Sequence, residues 1–471
     1  MSNQNITLVR GLGLIAAVSI VVGNVIGTGV FLKTRVMTCN VGSPEMVIAV
    51  WVAAGLLSLA GALTYAELAA MMPQAGGEYV FVREAYGRRL GFLYGWMQVF
   101  IGKTGSQAAL SVGFAIFLNE LLRGALDANF FTLRVANFSV PFGARQLVAL
   151  AAIAVVTLIN CAAVRVSGQV ASVLTLVKIA LVLGVGFGAF FFAPGSWWHF
   201  GLDNQGGLCE GVNEAARYGL GGFGAAMLGA LWGYDGWNNL TLVAGEVRRP
   251  QRNIPLALIG GMITVAALYI FINFAYFYVL MPTEVASVPK TSSVATEVAR
   301  RFLGPVAVSL IAAALLSSTF GTLHTSILTG ARVPYAMSRD RLFFENLSGL
   351  SPRTHVPVKA LVVQGCWAAL LALSGSYDTL TDYVIFASWI FYGLVTASVF
   401  LFRRRLPQVE RPYRTWGYPV VPVLFLVVTA WLLINTLLTA PLQAFAGLFL
   451  ILLGLPVYRY WERRNIKADL G

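Results

Sequence analysis

The chain has 471 residues, 58% of them hydrophobic and only 11% charged. Soluble domains average about 25% charged residues, so this composition excludes an ordinary water-soluble globule and points to a polytopic membrane protein. The net charge of +13 does not indicate nucleic acid, because the bases sit in short stretches between apolar runs, as positive-inside sorting requires.

Met1 to Val9 is short and polar and lacks a signal-peptide cleavage pattern. Insertion is therefore expected from the helices themselves. Twelve apolar segments of spanning length follow, near 11–37, 43–71, 87–121, 145–164, 168–193, 217–244, 254–281, 303–337, 356–373, 379–402, 418–438 and 441–458. An even count puts both termini on one side. One set of connecting loops holds Arg83, Arg88, Arg89, Arg165, Arg248, Arg249, Arg252, Arg403, Arg404 and Arg405, whereas the other set holds far fewer bases. That asymmetry predicts cytoplasmic termini.

Segment 1 contains Val22-Gly23-Asn24-Val25-Ile26-Gly27-Thr28-Gly29-Val30-Phe31. Glycine costs about 1 kcal/mol in a helix interior relative to alanine, and three glycines with an asparagine argue against an unbroken helix. A second half starting near Gly27 would present the N–H groups of Thr28 and Gly29 at mid-membrane. A helix N-terminus suits a carboxylate, and a side chain at Gly29 is expected to block its approach. Close packing through small residues is the competing reading.

After segment 2 comes Pro73-x-x-Gly76-Gly77-Glu78-Tyr79, a turn rather than a helix. Glu67, just before it, is expected to bind the basic loop rather than substrate. Segment 3 carries Lys103, which either pairs with Asp235 across the cavity or is solvated by an open vestibule. Segment 5 carries Lys178 at its centre. An intramembrane ammonium needs carbonyls or hydroxyls. The unwound carbonyls of segment 1 and the hydroxyls of Ser317, Ser318, Thr319 and Thr322 in segment 8 are candidates. Such a fixed cation would stand where other transporters bind sodium. His324, in segment 8, is expected to be a hydrogen-bonded helix contact.

Segment 6 repeats the interruption in Gly229-Ala230-Leu231-Trp232-Gly233-Tyr234-Asp235-Gly236-Trp237-Asn238-Asn239. Two glycine-interrupted helices, five segments apart, are the sequence pointer to an inverted-repeat transporter. The predicted fold is an all-α polytopic membrane protein of twelve transmembrane helices. Its domains are a cytoplasmic N-terminus (1–10), a first repeat (11–193), an outer loop (194–216), a second repeat (217–402), a cytoplasmic loop (403–417), peripheral helices (418–458) and a cytoplasmic tail (459–471).

These motifs resemble one family. Val25-Ile26-Gly27-Thr28-Gly29-Val30-Phe31 is similar to the first-helix motif of the amino acid–polyamine–organocation superfamily. Pro73-x-x-Gly76-Gly77-Glu78-Tyr79-x-x-x-Arg83-Glu84-Ala85-Tyr86-Gly87 resembles the inner loop of its L-type amino acid transporter branch. So do Tyr234-Asp235-Gly236-Trp237-Asn238, Gly245-Glu246-Val247-x-x-Pro250 and Glu410-Arg411-Pro412-Tyr413-Arg414. The resemblance implies a five-plus-five inverted-repeat, LeuT-like core with helices 1 and 6 broken. It implies that the substrate carboxylate meets the N–H groups of Thr28 and Gly29, and that the amino group meets carbonyls of Val25, Trp232, Gly233 and Asp235. It makes Trp232 the gate over the substrate. It gives Lys178, with Thr322, the place of the sodium site. The expected substrate-binding set is Val25, Ile26, Gly27, Thr28, Gly29, Lys103, Trp232, Gly233, Asp235, Asn238 and Ser388. Animal members pair with a single-span glycoprotein through an outer-loop cysteine, but the context here looks bacterial and no obligatory partner subunit is expected.

The expected function is a sodium-independent transporter of small to medium neutral L-amino acids in the inner membrane. Exchange and proton co-transport are not separated by the sequence. The runner-up substrate is a cationic amino acid or polyamine, because Asp235 offers a second ammonium a partner. A membrane-embedded enzyme is disfavoured, since the three histidines have no nucleophile–base or metal motif beside them. No metal or cofactor is expected. Of the four cysteines, Cys161 and Cys366 are read into helices, Cys39 and Cys209 into outer loops. An oxidising exterior permits a bridge between the last two. Free thiols are the expected state, because nothing in the sequence fixes their distance.

Overall fold

The computed structural model describes residues 8–135, 138–162, 164–290, 292–374, 377–439 and 441–470. In chain order its helices are α1 (Leu14–Val25), α2 (Gly29–Val41), α3 (Pro44–Met71), α4 (Glu78–Tyr86), α5 (Arg88–Met97), α6 (Lys103–Leu121), α7 (Ala144–Asn160), α8 (Val164–Phe192), α9 (Gly219–Tyr234) and α10 (Asn239–Leu242). They continue with α11 (Pro250–Val279), α12 (Pro282–Ala286), α13 (Val294–Leu303), α14 (Val306–Gly330), α15 (Arg332–Arg339), α16 (Val358–Ser374), α17 (Tyr377–Arg405), α18 (Val420–Thr439), α19 (Pro441–Leu452) and α20 (Gly454–Leu470). A two-stranded antiparallel hairpin, Asn129–Val135 with Phe138–Gly143, projects between α6 and α7.

Among the described residues, eight helices or helix pairs are long and apolar enough to cross a membrane, and two shorter apolar helices lie at Ala144–Asn160 and Val358–Leu373. The chain is a mostly helical, multi-pass membrane protein. The segments read at 87–121 and 217–244 do not qualify as single apolar helices. The first is polar where the π-turn Gln98–Gly102 meets Lys103, and the second stops at Tyr234.

Local chemistry sets the boundaries. Ser43 caps α3 by accepting from the Met46 amide, with Pro44 at the first helical position. Gly42 ends α2 at φ +82°. Helices α1 and α2 pack into the centre of the bundle: α1 against α11, α8 and α14, and α2 against α9. For α1 that burial follows from an almost wholly apolar sequence, whereas α2 also buries Lys33, Thr34, Arg35, Thr38 and Asn40.

Glu67 accepts from Arg403 Nε (3.0 Å) and Nη2 (2.7 Å) and from the Thr415 amide (2.7 Å). It therefore ties α3 to α17 and the loop beyond, away from the breaks. His324 is buried between Asn160 and the Ser167 carbonyl, a helix contact as expected.

The cysteine reading needs correcting. Cys39 lies inside α2, not in a loop, and forms a disulfide with Cys209 at a Cα separation of 5.7 Å. That separation is within bridging reach. The pairing was invisible in sequence because 170 residues separate the two and tertiary folding alone brings them together.

Candidate functional site

The α1 ladder ends where Ile26 leaves helical geometry at ψ 83°. Gly27 N–H donates to the Val25 carbonyl at 2.7 Å, and α2 restarts at Gly29. Carbonyls lose their i+4 partners across such a break, and in an apolar interior each needs a replacement. The structure supplies them for Gly23, Val25 and Ile26. The Gly23 carbonyl accepts from Lys178 Nζ at 2.5 Å. Lys178 also donates to the Thr322 hydroxyl at 2.6 Å, and that hydroxyl stands 3.2 Å from the Gly23 and Ile26 carbonyl oxygens. Ser318 donates to Ile26 at 3.3 Å. Tyr269 O–H reaches the Val25 carbonyl at 2.7 Å.

The second break, between Tyr234 and Asn239, is one residue longer than the first. Helix α9 runs straight through Gly229 and Gly233. Asp235 then turns extended (ψ 150°), and Gly236 takes φ +101° before α10 begins. Only glycine adopts that conformation without strain. A Cβ at Gly236 would also lie 3.0 Å from Asn24 Cβ, so the two breaks touch there. They touch again where a Cβ at Gly29 would fall 2.4 Å from Gly233 Cα. Tyr269 bridges them, its hydroxyl lying 2.9 Å from the Gly233 carbonyl as well as near Val25. Trp51 packs edge-on against Tyr269 and Tyr234, with centroids 5.2 and 5.7 Å away, and steadies the bridge.

Between the breaks lies a cavity of about 260 Å³, mouth included. Of the expected residues, Val25, Gly27, Thr28, Gly29, Trp232, Asp235 and Thr322 line it. Asn24, Ser106 and Leu110 line it too and were not foreseen. Ile26, Gly233, Lys178 and Lys103 stand behind this wall, where they hold or touch it without lining it. Asn238 and Ser388 are buried elsewhere: Asn238 turns to Glu78, and Ser388 lies on α17 outside the lining. Thr28 and Gly29, at the start of α2, line the cavity together with the aromatic Trp232.

Lys103 and Asp235 adopt neither expected arrangement. Lys103 is deeply buried and Asp235 half-buried at the cavity wall, and no ion pair joins them among the described residues. Lys103 Nζ donates to Asn239 Oδ1 at the start of α10, and Asp235 Oδ1 accepts from Tyr392 O–H at 2.7 Å. Glu78 completes the cluster. Its carboxylate accepts from Asn238 Nδ2 at 2.6 Å and from Tyr94 O–H, which in turn accepts from Gln98 at 2.9 Å. Burial pushes the Glu78 carboxyl up to about 7, against the pull of Lys103 and of the bonds from Tyr94 and Asn238.

The glycines before Glu78 explain how it gets there. Gly76 N–H donates to the Leu242 carbonyl at 2.9 Å, and a Cβ at Gly77 would lie 2.5 Å from the Thr241 backbone. The loop therefore rides directly on α10. The motif reads as a turn in the sequence, but α4 already begins at Glu78, and the spacing carries no sign that the turn docks on the second break.

The family model described as amino acid permease matches residues 12–454. The chain belongs to the amino acid permease family. This permease is 31% identical over 467 residues to the serine/threonine exchanger SteT of Bacillus subtilis (strain 168), covering 99% of this chain and 100% of that one. It is 31% identical over 441 residues to the human b(0,+)-type amino acid transporter 1, covering 92% and 84%. It is 29% identical over 464 residues to the rabbit (Oryctolagus cuniculus) large neutral amino acids transporter small subunit 2, covering 98% and 82%. Family and relatives, named for transport or exchange, point away from catalysis.

Proposed function

We propose that the permease is a sodium-independent exchanger of small to medium neutral L-amino acids, working by alternating access around the cavity between its two breaks. The observation that carries this reading is the common wall formed by both interrupted helices. The amides of Thr28 and Gly29 would receive the α-carboxylate. The main-chain carbonyls of Trp232 and Asp235, two residues of the second break that line the cavity, would receive the α-amino group. Trp232 would close over the side chain. The Tyr392 bond to Asp235 favours neutral over cationic substrates, since that carboxylate already has a donor.

In this reading Lys178, with Thr322, fills the place of a coupling sodium by holding the Gly23 carbonyl. The core is an inverted five-plus-five repeat within twelve spans, the membrane is the inner membrane, and both termini are cytoplasmic. The sequence identity to a relative named an exchanger supports exchange. No partner subunit is required. The test is uptake of a panel of labelled amino acids into proteoliposomes, with and without internal substrate and with and without sodium. Uptake that needs internal amino acid and ignores sodium is expected. A steep sodium dependence, or no movement of any amino acid, would overturn the reading.

A further inference from the structure

Two carboxyls and one ammonium cluster at and behind the cavity wall. Lys103 comes from α6 and Glu78 from the start of α4, both at most 5% exposed, and Asp235 comes from the second break, half-buried at the wall itself. The other ionisable groups that face Glu78 are the phenols of Tyr65 on α3, Tyr94 on α5 and Tyr392 on α17. Phenols ionise near pH 10, so around neutrality they donate hydrogen bonds and carry no charge. The charge count therefore does not close. One ammonium against two carboxylates leaves a net negative charge in an interior where an uncompensated ion is very costly. A proton on one carboxyl closes it.

The geometry also shows what would release that proton. Asp235 lines the cavity, and Asn238 and Asn239 of the same break hold Glu78 and Lys103. The cluster is thus built on the backbone that must move if the second break opens. Gly76 and Gly77 seal it from the other side by stacking on Thr241 and Leu242. Parting α4 from α10 would admit water to all three charges at once.

Building on the transport reading above, we propose that Glu78, with Asp235 and Lys103, forms a proton-binding site that is occupied while the two breaks are packed together and empties to solvent when the α4–α10 contact opens. The chemistry is a single protonation. A carboxylate oxygen takes a proton from the aqueous side in contact with the open cluster and returns it there, so the packed conformation carries one proton more than the open one.

The sign follows from linkage. A carboxyl whose proton is held more tightly when packed favours the packed form at low pH. That advantage is complete below the ordinary carboxylate value of about 4.3. It declines as pH rises toward about 7, where the packed carboxyl itself ionises, and is level above that. If substrate binds the packed form, its affinity follows the packed population. One proton changes that population at most about tenfold per pH unit.

The experiment measures binding of labelled alanine, whose own charges do not change over this range, to purified protein from pH 5 to pH 8. Affinity is expected to fall more than tenfold between pH 5 and pH 7 and to level off above. Glu78→Gln keeps the hydrogen-bonding shape without the titration, and its affinity is expected to vary less than twofold over the same range. A wild-type affinity that varies less than twofold overturns the proposal. So does a Glu78→Gln protein that follows the wild-type profile. Should the variant misfold, a wild-type pH indicator assay decides: release of about one proton per substrate dissociated near pH 6 supports the site, and no release overturns it. Binding without pH dependence defeats this inference alone. Binding of no amino acid at any pH defeats the transport reading, and the inference with it.

Discussion

Lys178 is fully buried with its ammonium between the Gly23 carbonyl and the Thr322 hydroxyl. Hydrogen bonds to a charged group contribute about 1.5–3 kcal/mol, and here they fix the one carbonyl that the break leaves nearest α8. Lys178→Ala is expected to lower exchange by ten- to a hundredfold while the protein still purifies as a single species. Near-normal exchange by a monodisperse Lys178→Ala protein would remove the lysine from the mechanism. Tyr269 allows a finer test. Its hydroxyl is the group that touches both breaks, and Tyr269→Phe removes that contact while keeping the ring packed on Trp51. With about 1 kcal/mol at stake, substrate affinity is expected to fall roughly five- to tenfold, with little change in thermal stability. Trp232 is expected to behave differently from both. Trp232→Ala should slow exchange and also let bulkier unlabelled amino acids compete for labelled alanine uptake. An unchanged size profile with an unchanged rate would place Trp232 outside the substrate path.

At the scale of elements, the two breaks fit together through glycine. The ideal Cβ of Gly29 falls on the Gly233 backbone at 2.4 Å, and backbone cannot give way as a flexible side chain can. Gly29→Ala is therefore expected to abolish measurable binding, and Gly29→Val to do so with a loss of stability as well. Gly260, within α11, has nothing within 4 Å of its ideal Cβ, and Gly260→Ala is the matched control, expected to bind normally. Wild-type affinity in Gly29→Ala would mean that α2 and α9 are not apposed as described. This pair also shows how far the sequence reaches. Glycines, an asparagine and an aspartate at mid-span mark both interruptions, because few other residues interrupt an apolar helix there. What Gly29 makes room for was not legible. Sequence reasoning assigned the space to a carboxylate, whereas the structure fills it with backbone some 200 positions further along the chain. Tyr269 and Glu78 were missed for the same reason. A tyrosine in an apolar helix and a glutamate in a glycine turn look ordinary until the elements they meet are in place. The π-turn at Gln98–Gly102 likewise leaves no mark in periodicity, since its register shift is absorbed within one turn.

Across the whole molecule, the arginine asymmetry and the disulfide bear on the same question, the sidedness of the chain. The basic loops are read as facing the cytoplasm, whereas Cys39, near the C-terminal end of α2, and Cys209, in the connection before α9, belong to the ends read as facing the exterior. Disulfides persist in oxidising compartments and are rare where cellular thiols keep cysteines reduced. The bridge ties the end of α2, the second half of the first broken helix, to the segment preceding α9, and the Cys39 end lies against the Ala286 carbonyl at the end of α12. It therefore links both interrupted helices at one face of the protein. Cys161 and Cys366 are free and serve as the internal control. When membranes are denatured without reductant and treated with an alkylating probe, Cys161 and Cys366 are expected to be modified and Cys39 and Cys209 to remain unmodified. All four should be modified after reduction. The reduced protein is expected to unfold at a lower temperature in detergent, since α2 then loses its covalent hold on the second half of the chain. Modification of Cys39 and Cys209 before reduction would place that face toward a reducing compartment and reverse the proposed orientation. An unchanged unfolding temperature after full reduction would mean that packing of α2 on α9, rather than the bridge, holds the two broken helices together at that face.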